Sequence, residues 1–421
     1  MKVVPFLNGL GIGGTEKAAC RWARGLRDRG HHVVVVALRD GPRRRELEAH
    51  GIEVRTVADT PAAIAALLRE LQPEIIHAHA PGNPHEGDVL GEALATLPKI
   101  PVVQTNIFGR FNNPREDRWT DFRLFISWTS CVQSARRSFR KLDEAFFRRA
   151  SVAGYPLDAD DGPGADAAAE FRAAHGVRAE EVLFGRLSRP EPNKWTDLPL
   201  EGFRRAARQH PRIKLLLREP PPEVARTIQR APDRERFLIL PATADAAELA
   251  RTIAALDVVL HTSIIGESFG YGIAEPMNQA KPVIANSTPW QDQAQIELVR
   301  HGECGFIAST PATVAESIVA LAGDPALRQK LGREAQRHIR QLANPATSLD
   351  RLEAALAATC AGRDNPRATE DLLQARRTAD YLDAHQFGQS LGEQCALRPF
   401  HYRVRFHEWR KRYLSARPVT P

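Results

Sequence analysis

Cysteine is sparse in this chain of 421 residues, and its few copies indicate no shared site. The five cysteines are odd in number, widely scattered and without a CxxC pair; they are Cys20, Cys131, Cys304, Cys360 and Cys395. Small disulfide-stapled domains and zinc ribbons both need closely spaced cysteines. We therefore exclude those two classes and expect a reducing compartment, the cytoplasm.

Long hydrophobic runs are also missing. No apolar stretch approaches the roughly 18 residues that a membrane-spanning helix needs. The opening MKVVPFLNGLGIGGTE lacks the apolar core and the small-residue cleavage site of a signal peptide, and it is typical of a buried strand and its loop. With 421 residues the chain exceeds one ordinary core, so we expect two or three domains.

The charge balance is basic, with a formal net charge of +7. Basic residues cluster in the first 150 positions, at 43–45, 136–137, 140–141 and 148–149. These clusters fit either solvated helix faces or attraction to anionic lipid headgroups, which is worth about 1 kcal/mol per basic residue near such a surface. No nucleic-acid-binding module is recognisable, so we predict no nucleic-acid partner. If the second interpretation holds, the protein is peripheral at the inner face of the membrane.

Apolar runs alternate with amphipathic stretches through the first half of the chain. Predicted strands lie at residues 3–7, 33–38, 53–57, 75–78 and 102–105, and predicted helices at 15–29, 62–71 and around 87–97. Continuous valine and isoleucine runs separated by helices are typical of a parallel sheet that is covered on both faces.

The pattern breaks after residue 150, where residues 151–156 and the following DADDGPGADAAA predict a linker. Asp158, Asp160 and Asp161 form an acidic cluster there, but we predict no metal site within a linker. A second series then follows, with predicted strands at 182–187, 213–217, 237–240, 258–262 and 282–286.

These patterns predict an α/β protein with two Rossmann-like, doubly wound parallel sheets facing across a cleft. The predicted domains are 1–155 and 156–342, followed by a helical C-terminal segment at 343–421 that ends in a basic-aromatic tail. The tail fits either a surface helix docked on the body or a contact with the membrane interface. Ligands of such sheets bind beyond the carboxyl ends of the strands.

The most informative motif is GESFGYGIAEPMNQAKPVIANSTP, which begins at Gly266. Gly270 and Gly272 allow a tight turn, and the amides that follow predict a helix N-terminus that favours an anion such as phosphate. Glu267 precedes the turn and Glu275 should lie about one turn inside the helix. Two carboxylates around an anion-binding turn suit a nucleotide sugar, although a plain strand–turn–helix with two solvated glutamates has the same spacing.

Four sequence landmarks resemble those of the retaining family-4 glycosyltransferases of the GT-B fold, and they occur in the family's order over most of residues 1–360. One landmark is the glutamate pair, which has seven residues between its members. The others are the GGTE loop at 13–16, PEIIHAH at 73–79 and the segment FGRLSRPEPNKWTDLPLEGF at 184–203, which contains Arg186 and Lys194.

The resemblance implies a metal-independent, retaining hexosyltransferase with no cofactor, whose donor is a UDP- or GDP-hexose and whose acceptor is a glycan or lipid-linked precursor. It assigns Arg186 and Lys194 to the leaving diphosphate, Glu267 to hydroxyls of the donor sugar and Glu275 to the ribose. The remaining donor contacts that it implies are Ser268, Phe269, Gly270, Tyr271, Gly272, Gly13, Gly14 and Asn106.

Some positions depart from the family pattern. Ser268 replaces a frequent glycine, while Pro276 and Ala280 stand where alanine and glycine are common. Many members have a histidine near the transferred sugar where this chain has Asn106, and an amide can hydrogen-bond a hydroxyl but cannot carry charge. His77 and His79 are alternative sugar contacts, although buried histidines at a strand end are commonly structural.

Four other functions remain open on the sequence. One is a GT-B sugar epimerase, which would convert the nucleotide sugar with no acceptor present. Gly9, Gly11 and Gly14 also fit the GxGxxG of an NAD-dependent oxidoreductase, but Asp40 comes late for its ribose-binding carboxylate. The glutamate pair also fits a glycoside hydrolase. The missing family histidine is consistent with a non-catalytic nucleotide-sugar-binding protein.

Overall fold

The computed structural model describes residues 1–80, 88–108, 115–138, 140–187, 191, 194–243 and 245–415, with side chains up to residue 407. The chain forms two compact units. The first contains Met1–Asp158 and Leu342–Asp380, and the second contains Ala159–Gln341 and Tyr381–Pro421. The helical segment after residue 341 is therefore divided between the two units.

The first unit is built on a seven-stranded parallel sheet. Its strands are β1 Lys2–Leu7, β2 His32–Ala37, β3 Glu53–Thr56, β4 Ile75–Ala80, β5 Val102–Asn106, β6 Phe122–Phe125 and β7 Ala150–Val152. Its first helices are α1 Gly14–Asp28, α2 Arg43–Ala49, α3 Pro61–Leu71, α4 Val89–Leu94, α5 Trp128–Arg137 and α6 Glu144–Phe147. The strand order β3-β2-β1-β4-β5-β6-β7 makes β1 the strand from which the chain winds in both directions.

The second unit has a six-stranded parallel sheet in the order β10-β9-β8-β11-β12-β13. Its strands are β8 Val182–Leu187, β9 Ile213–Arg218, β10 Phe237–Leu240, β11 Val258–His261, β12 Val283–Ala285 and β13 Gly305–Ile307. Its helices up to residue 342 are α7 Gly164–Ala174, α8 Leu198–Ala207, α9 Pro222–Gln229, α10 Ala246–Ala255, α11 Tyr271–Asn278, α12 Ala294–Leu298, α13 Pro311–Gly323 and α14 Pro325–Leu342. The strand order reverses between β8 and β11.

Both sheets are buried because their central strands are apolar on both faces. Val33, Val34, Val35 and Val36 of β2 are each 5% exposed or less. In a strand, successive side chains point to opposite faces, so such a run needs helices above and below the sheet. The predicted pair of doubly wound α/β domains is confirmed.

The predicted strands are confirmed to within a few residues at their ends, and three strands were missed. These are β6, β7 and β13, which contain four, three and three residues. The predicted helix around 87–97 corresponds to α4, while its first residue, 87, lies outside the described residues.

The predicted linker was wrong at both ends. Ser151 belongs to strand β7, and α7 begins at Gly164. The sequence GADAAAEFRAA of α7 is rich in alanine, the strongest helix former, and this outweighs the glycine and aspartate before it. Asp158 pairs with Arg21 at 3.0 Å, and Asp161 pairs with Arg340 at 2.6 Å.

Three more helices complete the chain: α15 Pro345–Cys360, α16 Ala368–His385 and α17 Leu391–Ser415. The indole Nε1 of Trp22 on α1 donates to Ser348 Oγ on α15 at 2.8 Å, which fixes α15 within the first unit. Asp371 of α16 accepts hydrogen bonds from Ser151 and Asn365. Among the described helices, none is both long and apolar enough to cross a bilayer.

A buried histidine pair lies on strand β4 of the first unit. His77 and His79 point to the same face, with ring centroids 4.3 Å apart, and both pack against Trp22. His77 Nε2 shares a hydrogen bond of 2.7 Å with Thr105, whereas neither ring nitrogen of His79 has a partner among the described residues. Burial lowers the pKa of His77 well below its ordinary value and that of His79 to about 3. Both rings are therefore neutral in the folded protein.

We predict that this pair makes the protein sensitive to mild acid. Below about pH 6.5 the unfolded chain binds protons that the folded chain excludes. The free energy of unfolding should hold above that pH and fall below it by about 1.4 kcal/mol per pH unit for each histidine. The His79→Leu variant removes one titrating ring without leaving a partner unsatisfied. Urea unfolding followed across this range should therefore give a shallower slope for the variant, and equal slopes would contradict the prediction.

Candidate functional site

The candidate site lies where the strand order of the second sheet reverses. Arg186 is the fifth residue of β8, and His261 is the last residue of β11. β8 and β11 are hydrogen-bonded neighbours, with Val258 opposite Phe184. Helices leave such neighbouring strands toward opposite faces of the sheet, and this opens a crevice at their carboxyl ends.

The loop that follows β11 has a shape that requires glycine. Gly266 has φ +64°, and a Cβ atom there would lie 1.8 Å from the carbonyl oxygen of Asp292. Gly270 has φ +100° and is the N-cap of α11. The predicted glycine turn and the helix start are confirmed, and Glu275 lies on the second turn of α11 as expected. Gly272 lies inside the first turn of the helix and does not itself make the bend.

Glu267 forms a partly buried charge cluster with Lys194 and His261. Its Oε1 accepts a hydrogen bond of 2.7 Å from Lys194 Nζ and one of 3.1 Å from His261 Nε2. Lys194 Nζ also donates to the carbonyl oxygen of Gly266 at 3.3 Å. Burial alone would raise the pKa of Glu267, but the hydrogen bond from His261 and the charge of Lys194 outweigh it and lower that pKa to about 2. Glu267 is therefore a permanent carboxylate.

Arg186 lies beneath this cluster and is 1% exposed. It donates to the carbonyl oxygens of Lys194 at 2.5 Å and Thr262 at 3.3 Å, and its guanidinium stacks 4.1 Å from the ring of Trp195. Burial lowers the pKa of Arg186 to about 10, so the group stays charged at neutral pH. Its Nε is buried and has no acceptor among the described residues. A buried N–H of this kind is costly unless a ligand satisfies it.

Polar side chains hold the backbone of the site in place. Gln295 Oε1 accepts from the Glu267 amide at 2.9 Å, and Gln295 Nε2 donates to Thr288 Oγ1 at 2.6 Å. Thr196 and Thr262 share a hydrogen bond of 2.6 Å that ties the Lys194 segment to the end of β11. Sequence reasoning missed both His261 and Gln295. The only signal for His261 is a polar residue ending the apolar run VVLH.

The structure brings Arg186, Lys194, Glu267 and the start of α11 together in one place. Ser268 Oγ donates to Asp292 at 2.5 Å, and the rings of Phe269 and Tyr271 pack edge to face at 5.1 Å. Glu275 is half-buried. Residues 188–190 and 192–193 of the predicted segment at 184–203 lie outside the described residues.

The remaining predicted contacts belong to the first unit. Gly13 is the N-cap of α1 and Gly14 is its first residue. Asn106 is the last residue of β5 and is fully buried. Gly13, Gly14 and Asn106 therefore lie near the carboxyl ends of β1 and β5 in their own sheet, where ligands of doubly wound sheets bind.

The arrangement combines two cations with one ionised carboxylate at a helix N-terminus. No group of three or more histidine, cysteine, aspartate or glutamate side chains in the described part of the chain is arranged to hold a metal ion. The arginine, lysine and first-turn amides are suited to phosphate oxygens, and the carboxylate is suited to hydroxyl groups.

Two family models match consecutive parts of the chain. The model of the "Glycosyl transferase 4-like domain" matches residues 13–186, and that of "Glycosyl transferases group 1" matches residues 180–324. No curated protein matches the sequence. The two family models meet at β8, the strand that carries Arg186.

Solved structures share the fold at low sequence identity. HepE from Anabaena, crystallised with UDP-glucose, is 21% identical with a TM-score of 0.70, and the match covers 85% of this chain and 99% of HepE. A glycosyltransferase from Rickettsia africae is 13% identical with a TM-score of 0.70, covering 85% of this chain and 98% of that one. WaaG, a glycosyltransferase of lipopolysaccharide biosynthesis, is 13% identical with a TM-score of 0.61, covering 83% and 98%. Two consecutive family models and one shared fold together identify the chain as a glycosyltransferase of the GT-B fold.

Proposed function

We propose that the protein is a retaining, metal-independent hexosyltransferase of family 4 that uses a nucleoside-diphosphate hexose as donor. The observation that carries the proposal is the cluster of Arg186, Lys194 and Glu267 beside the N-terminus of α11. Its members come from segments more than seventy residues apart, yet Lys194 Nζ lies 2.7 Å from Glu267 Oε1. UDP is the first nucleotide to test, because HepE was crystallised with UDP and with UDP-glucose.

The leaving diphosphate is the first ligand group that the cluster suits. Arg186 lies near the carboxyl end of β8, and a guanidinium is suited to phosphate oxygens. The first backbone amides of α11 carry the partial positive charge of the helix N-terminus, which also favours an anion. Donors already in place where negative charge develops stabilise the transition state by about 3–4 kcal/mol for each well-aimed group.

The donor sugar is the second ligand group. Glu267 Oε1 is occupied by Lys194 and His261, while Oε2 accepts no hydrogen bond from the described residues. Sugar hydroxyls donate strongly to such a carboxylate. We assign Oε2 to hydroxyls of the hexose, and Glu275 to the ribose.

Transfer with retention follows from front-face attack. The bond between the anomeric carbon and the bridging oxygen of the diphosphate breaks, and its electron pair passes to that oxygen. The acceptor hydroxyl attacks the same face and gives its proton to the leaving phosphate. No enzyme nucleophile is needed. The acceptor that we propose is a glycan or lipid-linked precursor.

Two competing functions fit the site less well. A retaining hydrolase that used Glu267 as its acid would need this carboxyl group to donate a proton, but Glu267 has a pKa of about 2 and stays ionised. An NAD-dependent enzyme needs a carboxylate open to the ribose, but Asp40 is hydrogen-bonded to Arg44 at 2.8 Å and to the amide of Gly41. A non-catalytic nucleotide-sugar-binding protein would bind the same ligand, so only an assay of turnover distinguishes it from the proposed enzyme.

The proposal is tested by a donor screen followed by a turnover assay. We expect UDP-hexoses to stabilise the protein by about 2.7 kcal/mol at a hundredfold excess over their dissociation constant. Glu267→Gln should lower kcat about a hundredfold, because the amide cannot hold Lys194 and the sugar as a carboxylate does. The exposed Glu303→Gln is the matched control and should keep wild-type activity. Stabilisation by no nucleotide sugar, or full activity of Glu267→Gln, would refute the proposal.

The Arg186→Lys variant tests whether the site needs the planar guanidinium or only its positive charge. Lysine keeps the positive charge but lacks Nε and the planar donor pair. We expect the affinity for UDP alone to fall about tenfold or more, as measured by isothermal titration calorimetry. The melting temperature without ligand monitors the fold, since Arg186 also holds the backbone at Lys194. An unchanged affinity for UDP would show that the guanidinium of Arg186 does not bind the diphosphate.

His261 is a positioning residue that acts on the sugar through Glu267. His261→Leu removes the donor to Oε1, whereas His261→Gln retains an N–H of similar reach. We expect His261→Leu to bind UDP normally but to lose about tenfold or more in kcat/KM for the UDP-hexose, and His261→Gln to recover much of that loss. Equal losses for UDP and UDP-hexose would instead indicate a purely structural role.

A further inference from the structure

Helix α17 packs one face against the second unit and exposes large apolar side chains on another. On the inner face, Glu393 and Leu397 are buried, and the ring of Phe400 packs edge to face against Trp290 at 4.6 Å. Glu393 Oε1 accepts hydrogen bonds from the Ser309 amide and from Thr313 Oγ1. These contacts dock the helix on the second unit.

The outer face carries large hydrophobic side chains in solvent. Leu391, Tyr402 and Phe406 are 77%, 61% and 62% exposed. Tyr402 and Phe406 are four residues apart and therefore lie on one side of the helix, while Leu391 is its first residue and precedes Pro399. The sequence continues the same spacing with Trp409 and Tyr413.

This concentration is unusual within the molecule. Eight large hydrophobic side chains are exposed among the described residues, and four of them belong to α17: Leu391, Phe400, Tyr402 and Phe406. A helix that needed only to dock would have a polar outer face. Exposed apolar patches of this kind mark an interaction surface.

The positive charge on the same helix indicates which kind of partner binds this face. Between residues 398 and 412 the sequence has six lysines and arginines and one glutamate. Arg398 and Arg403 are exposed, and each guanidinium stacks over a ring, Phe387 at 4.9 Å and Phe400 at 5.1 Å. Two copies of this face would bring like charges together, which opposes self-association.

We propose that the outer face of α17, defined by Leu391, Tyr402 and Phe406 with Arg398 and Arg403, binds the surface of an anionic lipid bilayer. Aromatic rings at the boundary between headgroups and acyl chains, with arginines at the phosphates, are the physical basis of interfacial helices. The basic clusters of the first unit are less available for this contact. Arg44 pairs with Asp40 and Glu48, and Arg140 pairs with Asp117.

The full-length protein is tested by co-sedimentation with vesicles of phosphatidylcholine alone and of phosphatidylcholine mixed with phosphatidylglycerol. We expect binding to the mixed vesicles only, weakening as salt is raised. Arg398→Gln and Arg403→Gln should each weaken binding about fivefold, and the double variant Tyr402→Ser with Phe406→Ser should abolish it. The matched control is Leu373→Ser, which removes an exposed leucine from α16 and should bind normally.

A dye attached to a cysteine of α17 can report whether the outer face of the helix contacts lipid. Cys395 is exposed four residues after Leu391, and Cys360 is exposed on α15. Burial raises the pKa of Cys20 to about 12 and that of Cys304 to about 11, which keeps these thiols unreactive. A polarity-sensitive dye on Cys395 in a Cys360→Ser background should shift to shorter wavelength with anionic vesicles, and a dye on Cys360 in a Cys395→Ser background should not.

Several outcomes would overturn the proposal. Equal binding to neutral and anionic vesicles would do so, as would wild-type binding by the Tyr402→Ser, Phe406→Ser variant. A dimer in light scattering that this variant converts to monomer would assign the face to a second copy. Displacement of the protein from vesicles by single-stranded oligonucleotide at low concentration would assign it to nucleic acid. None of these results depends on the donor or on turnover.

Discussion

The candidate site depends on the two hydrogen bonds that a single carboxylate oxygen, Oε1 of Glu267, accepts. It accepts from Lys194 Nζ and His261 Nε2, and so joins the segment after β8 to the end of β11 and the loop before α11. Lys194 and Glu267 are 19% and 16% exposed, so removing either one leaves a largely desolvated charge without its counter-ion. The pair therefore fixes the geometry of the loop as well as its charge.

The sheet topology explains why these residues meet. Only at a reversal of strand order do two neighbouring parallel strands send their connections to opposite faces, which leaves space above their carboxyl ends. β8 and β11 are that pair in the second sheet. Gly266 and Gly270 then let the chain turn tightly enough for α11 to start beside Arg186, and residues with a Cβ would clash or be strained at these positions.

Much of this organisation could be predicted from local sequence, and the rest depended on pairing across the chain. Valine runs predicted the long strands, and GESFGYG predicted a turn into a helix with Glu275 on its second turn. The Lys194–Glu267 ion pair was not predicted, because it joins residues 73 positions apart and depends on the register of β8 against β11. Lys194 was assigned to phosphate and Glu267 to the donor sugar, as separate contacts. α7 was missed because its alanine-rich sequence carries little periodic signal.

The charge at the site bears on how the acceptor could lose its proton. Two cations, Arg186 and Lys194, stand against one permanent carboxylate, so these three side chains carry a net charge of about +1 beside the helix end. A leaving diphosphate carries more negative charge than this cluster cancels. Complete neutralisation would stabilise the leaving group further but would make its oxygen a poor base. In the front-face transfer that we propose, the ionised Glu267 would leave residual charge on the leaving phosphate, and that phosphate oxygen is the group that would take the proton of the acceptor.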